Sequence, residues 1–171
     1  SELSRIAAAG GQFMQEAVPL GEGSMAAIMG LAEDKIKDIC AHISEQGGVV
    51  QAVNFNCPGQ IVIAGSAKAV ETAVDELKAA GAKRAVLLHV SAPFHSTLME
   101  PAAKRLAEVL DTITISDAKI PVVANVNGQI ETAAADIKAS LVKQAASPVL
   151  WIDCTKTMQS FGAEAFVEVG P

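Results

Sequence analysis

Residues 60–77 read Gln-Ile-Val-Ile-Ala-Gly-Ser-Ala-Lys-Ala-Val-Glu-Thr-Ala-Val-Asp-Glu-Leu, and two periodicities meet inside them. Gln60 to Ala64 is a short apolar, β-branched run of the kind that forms a strand. Ser66 then stands where a helix would be capped, and Val70, Ala73, Val74 and Leu77 recur at helical spacing, so a helix with one apolar stripe follows. Gly81 closes that helix and Ala85 to Val90 is the next strand.

The residues before it repeat the order. Ser24 to Met29 is an apolar run, and Glu33 to Glu45 places Ile36, Ile39, Cys40 and Ile43 on one helical face. Gly47-Gly48 ends that helix, Val49 to Phe55 is rich in strand formers, and Asn56-Cys57-Pro58-Gly59 makes a turn into Gln60. Residues 24–90 therefore read as βαββαβ, a ferredoxin-like subdomain with two helices on one face of a sheet. The fold class is α/β of the α+β kind.

Outside this unit the pattern is less regular. Residues 1–11 carry Leu3, Ile6 and Ala7 at helical spacing, yet the run Ala7-Ala8-Ala9-Gly10-Gly11 fits a flexible lead-in equally well. Pro19, Gly21 and Gly23 mark a boundary. Ser96 to Leu110 reads as a helix in which Pro101 is tolerable only near the first turn. Pro121 to Val126 is a strand candidate closed by Asn127-Gly128; Asp136 to Ala145 and Leu150 to Phe161 read as helices; Ala165 to Val169 reads as a last strand, before Gly170-Pro171 begins a turn.

With 171 residues, half of them hydrophobic, the chain can bury a substantial core. A net charge of −6 without a basic run argues against nucleic acid and against an anionic membrane surface. Mean hydropathy is +0.33, but no apolar run approaches the roughly 20 residues of a membrane-spanning helix. Three widely spaced cysteines, Cys40, Cys57 and Cys154, and no signal-peptide pattern point to free thiols in the cytoplasm.

Of the three histidines, His42 reads as a solvated helix residue and His89 as a half-buried strand residue. His95 differs, because Ser91, Pro93 and Ser96 surround it where a strand gives way to a helix, a position from which rigid elements present function. A neutral imidazole can serve as general base for a Ser or Cys nucleophile when a second group holds its other nitrogen. No Gly-x-Ser-x-Gly elbow exists here, Cys57 sits in a turn without an orienting element, and the His and Cys residues never reach metal-ligand spacing. Gly21-Glu22-Gly23 lacks the preceding strand and third glycine of a dinucleotide fingerprint.

Five stretches together resemble the malonyl-CoA:acyl-carrier-protein transacylase family: Phe13-Met14-Gln15-Glu16-Ala17, Met25-Ala26-Ala27-Ile28, Asn54-Phe55-Asn56-Cys57-Pro58-Gly59-Gln60 with Val62-Ile63-Ala64-Gly65, Val90-Ser91-Ala92-Pro93-Phe94-His95-Ser96 with Leu98-Met99, and Glu168-Val169-Gly170-Pro171. The resemblance runs from Phe13 to the last residue. It implies fatty-acid synthesis: transfer of malonyl from coenzyme A to acyl carrier protein through an acyl-serine. No metal or cofactor is implied beyond malonyl-CoA as substrate. It further implies that 1–23 and 91–171 belong to a larger hydrolase-like subdomain into which 24–90 is inserted. On this resemblance His95 matches the catalytic histidine, and Gln144 the residue whose backbone carbonyl holds it. Asn54, Asn56, Gln60 and Asn125 are candidates for the substrate cleft between subdomains.

Departures accompany the likeness. The family's Gly-His-Ser-x-Gly elbow and amino-terminal Pro-Gly-Gln-Gly stretch have no counterpart in residues 1–171, and its carboxylate-binding arginine aligns with Gly10; Arg5 is too distant to replace it. The expectation is a piece of a transacylase, inactive alone and prone to self-association through unpaired strand edges. The alternative is a non-catalytic ferredoxin-like module that binds acyl carrier protein or a small ligand. That carrier is acidic, so docking needs local cations such as Lys83 with Arg84 or Lys104 with Arg105.

Overall fold

The computed structural model describes residues 2–169, and side chains from residue 6 onward. Arg5 as a side chain and the Gly170-Pro171 turn lie outside the described residues. In chain order the elements are α1 (Glu2–Ala17), β1 (Gly23–Met29), α2 (Glu33–Glu45), β2 (Val50–Cys57), β3 (Gln60–Ser66), α3 (Ala67–Ala79) and β4 (Arg84–Leu87). A 3-10 turn at Thr97–Met99 leads into α4 (Glu100–Asp111), followed by β5 (Val122–Val123), β6 (Ile130–Glu131), α5 (Ala134–Gln144) and α6 (Trp151–Ser160). The mixed α/β character expected from the sequence is what the structure has.

β1 to β4 form one antiparallel sheet in the order β2-β3-β1-β4. The run Ile61 to Ala64 is apolar without interruption because both sheet faces are covered. Ile61 and Ile63 point into the main core with Val70, Leu77 and Ile36 of α3 and α2. Val62 and Ala64, at alternate positions, join Met25, Ala27 and Val53 on the helix-free face, against Leu88 and Phe94. Gly65 admits the neighbouring chain, since a Cβ there would overlap the Val49 carbonyl oxygen.

The later half of the chain is hydrogen-bonded to the β2 edge of this sheet through a short segment at Val149. Val149 forms a parallel bridge with Asn54: the Phe55 amide donates to the Val149 carbonyl at 2.9 Å and the Val149 amide to Val53 at 2.7 Å. A register shift between Ala52 and Asn54 bulges β2 at that point. The Leu150 amide then donates to the Asn125 carbonyl at 2.8 Å, tying the β5–β6 hairpin to the same segment.

One alternative left open by the sequence is settled and four expectations are corrected. α1 runs through Gly10-Gly11, because its far end is fastened to α4: Arg105 pairs with Glu16 and lies 4.0 Å over the Phe13 ring. β4 stops at Leu87; the Leu88 amide still reaches Met25, but the Val90 amide turns back on Leu88 and the chain leaves the edge to lay Phe94 across the sheet. The strand expected over 121–126 shrinks to Val122–Val123, since Ala124 already bonds across the turn to Gln129. Residues 165–169 form no strand, having no neighbouring strand to pair with among the described residues. Ser66 occupies the N-cap position of α3, but its hydroxyl faces the Val49 carbonyl at 3.5 Å rather than a helix amide.

Candidate active site around His95

The chain reaches His95 through a tightly held bend. Ala92 and Pro93 are buried, the buried Ser96 hydroxyl donates to the Pro93 carbonyl at 2.7 Å, and the Thr97 amide donates to Gln51 Oε1 of β2 at 2.8 Å. Within this bend His95 takes a φ of 63°, the one positive value at a non-glycine among the described residues. The left-handed region costs an L-residue with a Cβ about 1–2 kcal/mol. Such strain persists where surrounding contacts over-determine it, and it concentrates at functional sites.

Held this way, the half-buried imidazole meets the carboxyl end of α5. His95 Nδ1 lies 3.1 Å from the Gln144 backbone oxygen. A carbonyl can only accept, so Nδ1 carries a proton, and in the neutral ring that places the lone pair on Nε2. The Gln144 side-chain nitrogen is 3.5 Å from the same Nδ1, at the limit of hydrogen bonding, and two donors cannot share that contact. The carbonyl is therefore the orienting group. Among the described residues no hydroxyl or thiol is hydrogen-bonded to Nε2, which leaves it a base with an open side.

That ring forms part of the wall of a cavity of about 170 Å³, completed by Gly10 and Met14 of α1, Ala102 and Leu106 of α4, and Leu141, Gln144 and Ala145. Gly10 thus stands beside the histidine at the position where the resemblance places an arginine, and a Cβ on it would meet only Leu106 Cδ1 at 3.9 Å. A larger cleft of about 650 Å³ opens between α2, β2 and α6, lined by Lys37, Phe55, Asp153 and Lys156 among others, and does not include His95. Cavity size alone would not single out His95.

The four cleft candidates are not gathered at His95. Asn54 is half-buried on the β2 bulge beside Val149, and Asn125 lies in the hairpin turn with its carbonyl on the Leu150 amide; the two share the 149–150 segment. Asn56 is half-buried two residues further along β2. Gln60 sits at the β2–β3 turn, where its Oε1 faces the Cys57 thiol at 3.5 Å. None of the four lines the His95 cavity.

The other candidates separate cleanly. His42 is exposed on α2 with Gln46 at 2.9 Å, whereas His89 lies past the end of β4 and is exposed, not half-buried in a strand. Cys57 contacts Gln60 and not His95. Burial pushes the Cys40 thiol up to about 12 and raises Cys154 as well, so neither is a ready thiolate. Among the described residues no group of three or more His, Cys, Asp or Glu could hold a metal ion, and no helix is long and apolar enough to cross a membrane. Sequence reasoning missed Gln51 and Gln15, whose amide donates to the Ser91 hydroxyl at 3.0 Å. Gln51 carries no local pattern that could have marked it, whereas Gln15 lies in the Phe13–Ala17 stretch that carries the resemblance.

Comparison with known proteins places this geometry. The sequence model described as the acyl transferase domain matches residues 2–171. A malonyl CoA-acyl carrier protein transacylase of Bacillus subtilis is 50% identical over 161 residues, 94% of this chain and 51% of that protein. The Salmonella typhimurium transacylase is 50% identical over 171 residues, 100% of this chain and 55% of that protein. Among solved structures, the Coxiella burnetii transacylase superposes with a TM-score of 0.91 at 42% identity, over 94% of this chain and 51% of its own. A malonyl-transacylase in complex with its type II PKS acyl-carrier protein gives 0.90 at 47%, over 92% and 51%. The chain spans about half the length of the relatives it matches.

Proposed function

Because this chain belongs to the acyl transferase domain family, we propose that the protein containing it transfers malonyl from a coenzyme A thioester to the thiol of an acyl carrier protein, with His95 as general base. The observation that carries this reading is the 3.1 Å approach of His95 Nδ1 to the Gln144 carbonyl, which selects the tautomer with a basic Nε2. In the acyl-serine route implied by the family, Nε2 takes the serine proton as the oxygen attacks the thioester carbonyl. The imidazolium so formed keeps Nδ1–H on the carbonyl dipole of Gln144, and its new proton passes to the departing thiolate. The carrier thiol then reverses both steps. No metal or cofactor enters this scheme.

Several finer readings accompany it. Residues 24–90 act as a ferredoxin-like subdomain, a reading supported by the β2-β3-β1-β4 order, and 1–23 with 91–171 as part of the larger subdomain. The enzyme works in the cytoplasm. Asn54, Asn56, Gln60 and Asn125 line the approach to the cleft between the two. Lys83, Arg84 and Lys104 are exposed and form no ion pair among the described residues, which suits them to meet an acidic carrier, while Arg105 is engaged with Glu16 and Phe13. His95→Ala in the full-length protein should lower malonyl transfer roughly 10²–10⁴-fold, the usual contribution of a general base. Residues 1–171 alone should show no malonyl adduct by intact mass after incubation with malonyl-CoA. Undiminished transfer by the variant would sink the assignment of His95, and a stoichiometric adduct on the 171-residue chain would sink its predicted inactivity.

A further inference from the structure

Glu131 is a carboxylate for which the proposed chemistry has no use, yet it is only 8% exposed. A buried carboxylate is costly unless hydrogen bonds satisfy it. Its Oε1 accepts from the Ser140 hydroxyl at 2.6 Å and from Asn127 Nδ2 at 2.9 Å. The Asn127 amide is itself oriented, because its Oδ1 accepts from the Gln129 amide at 2.9 Å. The hairpin turn thus aims Asn127 at Glu131, and Glu131 grips α5 at Ser140, one helical turn before Gln144.

α5 needs such a grip. It is the helix that delivers the Gln144 carbonyl, yet none of its side chains is fully buried. Beneath it a cavity of about 190 Å³, lined by Glu131, Ser140 and Gln144 among others, denies it close packing on that side. Polar tethers supplement its packing on α4. Asp117 accepts from the Ala134 amide at 2.8 Å and so holds the amino end of α5, remote from Gln144, while Lys138 pairs with Asp111 at 2.8 Å at the surface, where an ion pair contributes little. All three are charge-assisted, and the Ser140–Glu131 bond is the partly buried one, sitting one turn from the Gln144 carbonyl.

We propose that Glu131 is a positioning residue for the proposed transfer reaction: by holding Ser140 it sets the height of α5, and with it the Gln144 carbonyl that selects the His95 tautomer. This rests on the reading of His95 as base, but the tautomer can be observed without turnover. In the full-length protein, ¹⁵N spectra of His95, assigned by its loss in His95→Ala, should show the Nδ1–H form. Glu131→Ala should shift His95 toward the Nε2–H form that free imidazole favours, and lower kcat about tenfold with KM unchanged. Glu131→Gln, which keeps an acceptor oxygen for Ser140, should restore both. If Glu131→Ala does not fold, Ser140→Ala breaks the same bond from the helix side and should give the same shift.

An unchanged His95 spectrum in a folded Glu131→Ala or Ser140→Ala variant overturns the proposal. So does a Glu131→Gln variant as impaired as Glu131→Ala. Full transfer activity in His95→Ala would instead overturn the reading of His95 as base, leaving the tautomer result to stand by itself.

Discussion

Adding one methyl group at Gly23 should disable His95 from a distance. Gly23 opens β1 opposite Ser66, and its α-carbon faces the ring of Pro93, two residues before the histidine. A Cβ built there overlaps Pro93 Cδ, comes within 2.7 Å of Cγ and 3.2 Å of the Pro93 nitrogen. Carbon atoms rest at about 3.5–4.0 Å, so the strand and the loop must part by about 1 Å. The proline ring cannot rotate away, and it is fully buried. At Gly23 β1 is held by β3 through the Gly23–Ser66 pair, its pairing with β4 starting only at Ala26, so strand end and loop share the displacement and the loop moves by a substantial part of it. The Nδ1 to carbonyl distance of 3.1 Å then stretches beyond hydrogen-bonding range.

A misplacement of this order costs about 10²-fold in rate, and overpacking of a buried site costs about 1–3 kcal/mol in stability. Gly23→Ala in the full-length protein should therefore stay folded by circular dichroism and lose a few kilocalories in urea titration. Its kcat should fall about a hundredfold, with the His95 ¹⁵N pattern displaced. Unchanged kcat in a variant that shows the stability loss would refute the coupling of β1 to the His95 loop.

Gln144→Ala should leave kcat within about threefold of the parent, because the orienting atom is a backbone oxygen and the side-chain amide makes no bond in the required tautomer; steady-state kinetics decides it. In the native state only the exposed Cys57 should react with a thiol reagent, since Cys40 and Cys154 are buried, and all three should react in denaturant. The Cys40 value of about 12 against an ordinary 9.0 gives stability a pH slope. Below pH 9 both states hold the proton; between 9 and 12 the unfolded chain loses it while the native chain keeps it, so stability falls as pH rises, by up to about 1.4 kcal/mol per unit. Cys40→Ala should flatten that slope in urea midpoints measured at pH 8 and pH 10.

The βαββαβ unit was legible because each of its elements advertises a local period. β3 alternates Ile61 and Ile63 with Val62 and Ala64, and α3 spaces Val70, Ala73, Val74 and Leu77 on one face. What local pattern cannot supply is where a partner lets an element stop. β4 ends at Leu87 because the next residues are recruited to cover the sheet's second face. Ala165 to Val169 has a strand's composition and no strand to pair with among the described residues. α1 shows the converse, a helix through two glycines held by Arg105 contacts from α4, which no window of α1 sequence contains.

The site divides the same way, and the division has a chemical consequence. His95 could be singled out from its strand-to-helix setting, but the atom that makes it a base is a main-chain oxygen 49 residues away, and any residue type at 144 supplies one. The information that specifies the tautomer is therefore spread over whatever fixes α5, chiefly the Ser140–Glu131 bond, and whatever fixes the 93–97 bend, chiefly Gly23, Ser96 and Gln51. Substitutions at these supporting positions should change the histidine's tautomer and rate together, whereas substitution of the Gln144 side chain should change neither. On the proposed reading of His95 as base, catalytic sensitivity should follow the rigidity of two backbone segments and not proximity of side chains to the imidazole.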